Sequence, residues 1–445
     1  MRKPLVLVTA PVATRSGYGN HSRDICRALI ESDKYIVKIN PVRWGATPMN
    51  ALEDKNPHHL EIYKRLLTKP SLDRQPDLHI HIVIPNEFSP LGKKNLGITA
   101  GIEHTLPPAD WVQGVNRMDK TIFTSEFSRN SFLQVNFDQV QKDTNQVVGK
   151  LKVDKPTEVL FEGADPEIYK EVKEATLDLK NEFDKIKEDF CFLFVGHWLQ
   201  GNLGEDRKDT GMMLKVFLEA FKNTKNPPAL IMKTSSSNFS VMDRREMKQK
   251  IDMIKSQISA ETLPNVYLLH GDLKDEEMNQ MYNHPKVKAH LTFTHGEGFG
   301  RPLLEASFSG KPIIAPISTG QADFLDKDYT IELPHTMTKV PDSAFPKEYQ
   351  NQEALWSTVN YGVSLNIIKD VYKNYKKYEL RGKKQMLINR EHFTHEKMTE
   401  KLLTIVDNLV SSVPQEVSLR LPKLVKKNDV EVKKSDVKIP KLKKV

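Results

Sequence analysis

The sequence contains little cysteine and no long apolar segment. Its two cysteines, Cys26 and Cys191, are too few for a disulfide framework and argue against a zinc site built from cysteines. No apolar run approaches the roughly 20 residues that a membrane-spanning helix needs. Residues 1–12 turn polar too early for a signal peptide. We therefore expect a cytoplasmic protein, and peripheral contact with a membrane stays an open alternative.

The size and charge of the chain indicate two globular domains and a basic end. A chain of 445 residues is too long for one ordinary core, and its 38% apolar and 28% charged residues suit a soluble protein. The net charge of +8 is uneven, because residues 414–445 contain ten lysines or arginines and four acidic residues. That end carries +6, which leaves +2 for the remaining chain.

Residues 291–323 predict a strand, a glycine loop, a helix, a second strand and a second glycine loop. Leu291 and Phe293 lie in a short apolar run typical of a strand. Residues 295–300 read His-Gly-Glu-Gly-Phe-Gly, and Pro302 suits the first turn of a helix. Glycines let backbone N–H groups approach a ligand, and a helix N-terminus favours negative charge. This stretch therefore predicts a binding site for an anion such as a diphosphate.

Two glutamates accompany this predicted anion site, Glu297 in the loop and Glu305 in the helix. A carboxylate beside phosphates would be repelled, so each needs another target. Vicinal sugar hydroxyls fit, because an ionised carboxylate accepts two hydrogen bonds at once. We infer a nucleotide-sugar site with one carboxylate on the ribose and the other on the donor sugar.

The spacing of Glu297 and Glu305 matches an E-x7-E signature, and the run EGFGRPLLEASFSGKPIIA resembles family 4 of the retaining GT-B glycosyltransferases, in its glycogen-synthase-like and mannosyltransferase-like group. The resemblance covers about residues 5–410 and is strongest over residues 190–323. It implies an α/β protein with the GT-B fold. In that fold two Rossmann-like domains face a cleft, and a C-terminal helix crosses back to the first domain.

The resemblance and the local composition together divide the chain into five segments. Residues 171–189 are crowded with lysine and acidic residues and predict an exposed helix and connector. The segments are residues 1–170 as the acceptor-side domain, 171–189 as the connector, 190–390 as the nucleotide-sugar-binding domain, 391–412 as the returning helix and 413–445 as a basic, flexible tail. For the tail, a solubilising end, contact with nucleic-acid phosphates and contact with an anionic membrane surface all stay open.

The resemblance assigns donor-binding roles around the two glutamates. It implies that Glu305 holds the ribose hydroxyls and that Glu297 holds the transferred sugar. Backbone groups of Gly298, Phe299 and Gly300 would contact the donor sugar and the phosphates. Two further turns complete the predicted donor site, Gly271–Asp272 beside the nucleotide base and Gly320 in a second phosphate-facing turn.

Cations are needed beside the departing diphosphate, because negative charge builds on the β-phosphate as the sugar leaves. Arg207 and Lys208 precede a predicted helix and match the region where the resembled family places an arginine and a lysine. This chain departs from the family pattern, since His197 stands where that arginine is expected. Lys233 follows another strand and competes for the role, and a solvated loop charge is the alternative for Arg207.

The first domain supplies candidate residues at two strand ends. Gly17, Tyr18 and Gly19 follow the first strand, and the resemblance places this loop against the donor or the acceptor, with a simple tight turn as the alternative. Glu103 and His104 follow another strand, where ligands bind in open α/β sheets. The resemblance implies that His104 contacts the donor sugar or the acceptor hydroxyl and that Glu103 binds acceptor hydroxyls. The alternative is a polar pair that caps a helix.

No metal and no cofactor beyond the donor is expected. His79 and His81 share one face of a strand without a carboxylate or cysteine cluster, so we interpret them as strand-surface residues. Asp326 and Asp328 have D-x-D spacing, but they follow a helix and are typical of a turn.

We therefore hypothesise a retaining, metal-independent transferase that moves a hexose from a nucleotide-diphosphate sugar, for example UDP-glucose, to an acceptor hydroxyl. A glycan and a lipid-linked sugar are the default acceptors, and a modified DNA base is a second hypothesis suggested by the basic tail. An inactive GT-B-like protein that binds carbohydrate or nucleic acid is the main alternative. The predicted catalytic residues are Glu297, His104, Arg207 and Lys208.

Overall fold

Strands and helices alternate along most of the chain. The computed structural model describes residues 2–413 except residues 70, 142, 173–176, 237, 347, 348 and 350. The strands are β1 (Leu5–Ala10), β2 (Ile36–Pro41), β3 (Leu78–Ile82), β4 (Lys94–Thr99), β5 (Lys120–Phe123), β6 (Phe137–Val140), β7 (Val147–Leu151), β8 (Thr157–Val159), β9 (Cys191–His197), β10 (Ala229–Ser235), β11 (Val266–Leu269), β12 (Val287–Leu291), β13 (Ile313–Ala315), β14 (Ile331–Glu332), β15 (His335–Lys339) and β16 (Leu355–Val359).

The helices lie mainly between consecutive parallel strands. They are α1 (Gly17–Glu31), α2 (Pro57–Tyr63), α3 (Ala109–Asn116), α4 (Glu126–Leu133), α5 (Leu177–Asp184), α6 (Thr210–Phe221), α7 (Val241–Ser256), α8 (Asp275–Asn283), α9 (Arg301–Ser307), α10 (Tyr361–Lys373), α11 (Tyr375–His392) and α12 (His395–Ser411). The basic tail predicted for residues 413–445 lies outside the described residues from residue 414 onward.

The first lobe is built on a parallel sheet with the order β2-β1-β3-β4-β5-β8. All six residues of β1 are buried, as the continuous apolar run predicts for a strand with helices on both faces. His79 and His81 on β3 are buried as well, so the prediction of strand-surface histidines was wrong. The reason is that β3 lies between β1 and β4 in the middle of a covered sheet.

The second lobe is built on a parallel sheet with the order β11-β10-β9-β12-β13-β14. The strand order changes direction between β9 and β12, because β10 and β11 lie on one side of this point and β13 and β14 on the other. In open α/β sheets, ligands bind outside the carboxyl ends of the strands at such a point. β12 ends at Leu291, so Phe293, which was predicted to lie in this strand, follows it instead. The segment after β9 and the segment after β12 therefore meet at the crevice.

Helix α12 joins the core of the first lobe, although it follows the second lobe in the chain. Its apolar side chains recur at helical spacing and are buried against the first sheet, namely Met398, Leu402, Ile405 and Val406. The helix predicted as exposed within residues 171–189 is instead amphipathic, because Leu179 and Phe183 of α5 pack into the core of the second lobe. Charged residues dominate the composition of this segment, so composition alone does not reveal its apolar face.

Candidate functional site

The loop after β12 reaches across to the first lobe. Gly298 lies so close to the segment after β4 that an added Cβ would stand 2.7 Å from the carbonyl oxygen of Ala100. Its own carbonyl oxygen accepts a hydrogen bond from Ser125 Oγ at 2.6 Å. Gly300 has φ +99°, a left-handed conformation that favours glycine, and it starts α9. The glycines thus allow close approach between the lobes as well as a sharp turn into the helix.

Three consecutive backbone N–H groups in this loop are available to donate hydrogen bonds to a ligand. Within the described residues, the backbone nitrogens of Gly298, Phe299 and Gly300 donate no hydrogen bond. All three residues are buried, and buried N–H groups are otherwise paired in nearly all folded proteins. Together with the N-terminus of α9, these amides favour an acceptor with negative charge.

Glu297 is buried and paired with two cations from the segment after β9. Lys208 Nζ contacts Glu297 Oε1, and Arg207 Nη1 lies 3.3 Å from Glu297 Oε2. Burial opposes ionisation, but the charges of Lys208 and Arg207 outweigh it and hold the pKa of Glu297 below its ordinary value. Arg207 Nε also lies 3.5 Å from Glu103 Oε1 on the first lobe. Arg207 is therefore an ion-paired residue between the lobes and not a solvated loop charge.

Glu305 lies one helical turn from Arg301, whose Nε donates to Glu305 Oε1 at 2.7 Å. The same guanidinium group pairs with Asp24 of α1, so it links α9 to the first lobe. Burial raises the pKa of Glu305 to about 7, against the opposing charge of Arg301. The side chain of Glu305 therefore gains or loses its proton near neutral pH.

A cavity of about 320 Å³ lies between the lobes, and we call it the first cavity. Residues from both lobes line it, including Arg15, Gly17, Tyr169, His197, Arg207, Lys208, Lys233, Phe239, Asp272, Glu297, Arg301 and Glu305. Lys233 lies beside the ring of Phe239, with Nζ 5.0 Å from the ring centroid. Burial lowers the pKa of Lys233 to about 8, so it is mainly charged at neutral pH.

Three cations surround His197 at one end of the first cavity. Burial lowers the pKa of His197 to about 4, and the charges of Lys233, Lys208 and Arg207 add to this effect. His197 is therefore neutral at physiological pH and does not supply the positive charge that the resembled family has at this position. Lys233 forms no ion pair within the described residues, so the cluster has positive charge available for an anion.

Two ion pairs join the lobes at the other end of the first cavity. Arg15 Nε lies 2.8 Å from Asp272 Oδ2, and Lys274 Nζ lies 2.9 Å from Glu53 Oε2. Arg15 and Glu53 belong to the first lobe, whereas Asp272 and Lys274 follow β11 in the second lobe. Arg15 was not among the residues predicted from the sequence, although it directly precedes the predicted loop of residues 16–19.

A second cavity of about 650 Å³ continues from the first and shares Gly17, His197, Arg207 and Glu297 with it. Its other walls include Tyr18, His21, Trp44, Glu103, Trp111, Glu162, Gly298, Phe299 and Gly300. Tyr18 stacks on Trp44 with 4.0 Å between ring centroids. The Tyr18 hydroxyl is 2.9 Å from Thr99 Oγ1 and accepts from the Ala100 amide at 3.0 Å, which fixes the ring.

Several predicted site residues lie behind the cavity walls. His104 is fully buried, lines neither cavity, and packs edge-on against Phe345 at 5.4 Å. Burial lowers the pKa of His104 to about 4, so its ring is neutral at physiological pH. Gly19 and Gly271 also line neither cavity, and Gly320 donates its backbone N–H to the Glu297 carbonyl at 2.9 Å. The ligand contacts predicted for these four residues stay predictions.

The described part of the chain contains neither a metal-type cluster nor a membrane-type helix. Within the described part of the chain, no group of three histidine, cysteine or acidic residues has the arrangement of a metal site. Over the same part, no helix has the length and apolar character of a membrane span. Asp328 donates its backbone N–H to Asp326 Oδ1 at 2.7 Å, a side-chain turn in agreement with the interpretation of the D-x-D spacing.

The chain is similar in structure to proteins that carry two facing Rossmann-like domains. No protein-family model matches it, and no curated protein matches it by sequence. It resembles Anabaena HepE in complex with UDP and glucose at a TM-score of 0.58 and 13% identity, covering 91% of this chain and 100% of HepE.

Two further solved structures resemble the chain to a similar degree. For sucrose-phosphate synthase from Thermosynechococcus elongatus, the TM-score is 0.58 at 13% identity, covering 92% of this chain and 100% of that one. For an E. coli trehalose-6-phosphate protein bound with UDP-2-fluoro glucose, the TM-score is 0.57 at 11% identity, covering 92% and 100%. These likenesses confirm the predicted fold class: the chain has the GT-B architecture of two parallel-sheet Rossmann-like lobes.

Proposed function

We propose that this protein is a retaining, metal-independent hexosyltransferase of the family 4 type, with a nucleotide-diphosphate sugar as donor. The observation that carries the proposal is the cluster of Arg207, Lys208 and Lys233, which faces the first cavity. Arg207 also lines the second cavity together with the free amides of residues 298–300. UDP, glucose or a UDP-sugar is bound in the HepE and E. coli structures, which supports UDP-glucose as the donor to test first.

The two cavities suggest where each part of the donor lies. The diphosphate would bind the three cations and the amides of residues 298–300, near the residues that both cavities share. Glu305 would accept hydrogen bonds from the ribose hydroxyls, and Glu297 would contact the hexose. The nucleotide base would then extend toward Asp272 and Phe239 at the far end of the first cavity.

In the proposed reaction, the bond between the hexose C1 and the β-phosphate oxygen breaks, and its electron pair stays on that oxygen. Arg207, Lys208 and Lys233 stabilise the charge that develops there. The acceptor hydroxyl oxygen attacks C1 from the same face, and its proton passes to the departing phosphate. This front-face course suits Glu297, because an ion pair with Lys208 and Arg207 engages both of its oxygens and leaves it a poor nucleophile.

Donor cleavage tests the proposal directly. The full chain is incubated with UDP-glucose or GDP-mannose, and released nucleotide and free or transferred sugar are quantified. We expect turnover of one donor and a loss on the order of 100-fold in kcat for Lys208→Met. The matched control is Lys248→Met, an exposed lysine on α7, which should keep wild-type turnover.

Two outcomes would contradict the proposal in different ways. Tight UDP binding without release of sugar from any donor would favour the inactive carbohydrate- or nucleic-acid-binding alternative. A lack of both binding and cleavage would remove the nucleotide-sugar assignment altogether.

A further inference from the structure

Two buried polar side chains in the wall of the second cavity have no hydrogen-bond partner. Glu162 is 6% exposed, and its Oε2 is unpartnered within the described residues. His21 is 3% exposed, and both of its ring nitrogens are likewise unpartnered there. A buried polar group without a partner is unfavourable, because it has lost its hydrogen bonds to water and gained none in their place. A ligand with matching polar groups would recover that free energy.

The position of these two side chains places them on the acceptor side of the proposed donor sugar. His21 comes from α1, and Glu162 follows β8, so both belong to the first lobe. The cavity that they line also exposes Glu297 and the loop of residues 298–300 from the second lobe. A molecule bound to Glu162 and His21 would therefore lie next to the hexose held by Glu297.

An aromatic pair offers a flat surface in the same cavity. The rings of Tyr18 and Trp44 stack at an interplanar angle of 26°. Aromatic faces present a large rigid apolar area at little entropic cost, and they suit the C–H face of a sugar ring. The hydrogen bonds of the Tyr18 hydroxyl to Thr99 and Ala100 hold this surface in place.

The charge of the second cavity argues against an anionic acceptor. Its wall contains two arginines against three acids other than Glu162, namely Arg43, Arg207, Glu87, Glu103 and Glu297. Arg207 is already paired with Glu103 and Glu297. The donor diphosphate is assigned to Arg207 and the amides of residues 298–300, and among the other described residues of this wall Arg43 is the one arginine or lysine. Proteins bind phosphate groups with an excess of positive charge, which the remaining wall does not offer to an acceptor.

We propose that Glu162 and His21 bind hydroxyl groups of an uncharged sugar acceptor whose ring packs against the Tyr18–Trp44 pair. This inference rests on the proposed function, because it places the acceptor beside the donor hexose. It specifies the acceptor class, since a neutral saccharide fits this cavity and a phosphorylated sugar or a DNA duplex does not.

The protonation states of both residues agree with this geometry. Burial raises the pKa of Glu162 to about 8 and lowers the pKa of His21 to about 4, so both are uncharged at neutral pH. A protonated carboxyl and a neutral imidazole each donate and accept a hydrogen bond, as a hydroxyl group does. The charged groups that act on Glu162 are Arg301, Asp24, Glu305 and Glu297.

A transfer assay with matched acceptors tests the acceptor class. The full chain receives radiolabelled UDP-glucose with maltose or octyl glucoside, and in parallel with glucose 6-phosphate or a duplex oligonucleotide. We expect label in the neutral saccharides. Preferential labelling of either anionic acceptor would overturn the inference. Donor cleavage without transfer to any neutral saccharide would overturn it too, and the proposed function would stand. Absence of donor cleavage would overturn both.

Variants of Glu162 test the residue itself. Glu162→Gln keeps the shape of the side chain, and Glu162→Ala removes its polar group. We expect Glu162→Ala to raise the KM for the neutral acceptor about tenfold, which corresponds to one lost hydrogen bond, while the KM for UDP-glucose changes less than about twofold. The control is Glu167→Gln, whose side chain is 86% exposed. An unchanged acceptor KM in Glu162→Ala would overturn the assignment.

The pH profile separates direct binding from a structural role. In the wild type, the acceptor KM should rise above about pH 8, because the ionised carboxylate of Glu162 no longer donates a hydrogen bond. In Glu162→Gln that rise should disappear, since an amide keeps its donor at every pH. A rise of equal size in both proteins would overturn the inference.

Discussion

Arg301 donates from Nε to Oε1 of Glu305 at 2.7 Å, within one turn of α9. Nη1 of the same guanidinium group pairs with Asp24 of α1, so the buried Arg301 forms an ion pair with one carboxylate on each lobe. Arg301 lowers the pKa of Glu305, but burial is the larger effect and the pKa is raised to about 7. The proposed ribose contact is therefore sensitive to pH in the physiological range.

UDP binding should strengthen as the pH rises from about 6 to about 8. The acid form of Glu305 loses its proton over this interval, and a carboxylate accepts hydrogen bonds from hydroxyls more strongly than a neutral carboxyl does. The difference of about 1 kcal/mol corresponds to an affinity gain of about fivefold. Isothermal titration calorimetry of the wild type over this pH range measures the effect.

Glu305→Gln is the control, because it keeps the shape and removes the titration. Its pH profile keeps the ionisation of UDP and of Lys233, and it should lack the part of the gain that Glu305 contributes. Without ligand, the raised pKa has the opposite consequence: the free energy of unfolding falls between about pH 4.5 and 7, since the unfolded chain releases this proton first. Identical binding profiles in both proteins would contradict the ribose role.

The sequence signals that bring Arg207, Lys208 and Glu297 together are local. Glycines that permit unusual backbone conformations specify the loop of residues 295–300, and Pro302 at the first turn specifies the start of the helix after it. Arg207 and Lys208 lie within one segment after β9, and the strand order brings that segment to the loop. Local chemistry and the regular parallel sheet together suffice for these contacts.

The contacts that sequence reasoning missed depend on pairs far apart in the chain. Arg15 meets Asp272, and Tyr18 stacks on Trp44, and no periodicity in the sequence links either pair. His79 shows a related failure, because alternation along β3 predicts one solvated face, whereas neighbouring strands and helices cover both. Whether such a residue is buried depends on its tertiary environment, and the sequence of a single segment does not specify that environment.

A double substitution should separate charge balance from catalysis at Glu297. Lys208→Met leaves the buried carboxylate with Arg207 alone, and breaking one partner of a buried ion pair costs roughly 3–5 kcal/mol. Adding Glu297→Gln removes the uncompensated charge and should restore most of the stability. Both proteins should stay about 100-fold or more below wild type in kcat, because the cation beside the leaving phosphate is missing.

Chemical denaturation and steady-state kinetics of the two single variants and the double variant measure this cycle. If Lys208→Met lost activity only in proportion to its unfolded fraction, and the double variant recovered turnover, Lys208 would be a structural counter-ion. Recovery of stability without turnover is the result that supports its proposed role.

Loss of the positive charge on Lys233 should weaken UDP binding at alkaline pH. Burial lowers its pKa to about 8, so its positive charge disappears as the pH rises above that value. Loss of a hydrogen bond to a charged partner costs about 1.5–3 kcal/mol. Because one titrating group changes affinity by at most about tenfold per pH unit, UDP affinity should fall by roughly tenfold between pH 8 and 9.5. Lys233→Met should bind weakly at pH 7 and lack this fall, whereas Lys248→Met should follow the wild type. A wild-type profile in Lys233→Met would place the phosphates elsewhere.

The pair of Arg15 and Asp272 should slow the release of UDP. It is one of two ion pairs that join the lobes at this end of the first cavity, with 2.8 Å between Nε and Oδ2, so we expect it to restrain the exit of a bound nucleotide. The side chains are 19% and 34% exposed, and solvent-screened pairs contribute about 1 kcal/mol or less to stability. Arg15→Gln and Asp272→Asn should therefore leave the free energy of unfolding nearly unchanged and raise the dissociation rate of UDP several-fold.

Stopped-flow measurement of UDP dissociation in both variants and in the double variant distinguishes this pair from direct contact with the base. If the two residues act through each other, the double variant should release UDP no faster than either single variant. High salt should speed release from the wild type and have little effect on the variants, because it screens the pair. Additive effects would contradict the role of the pair, since they would mean that Asp272 contacts the nucleotide independently of Arg15.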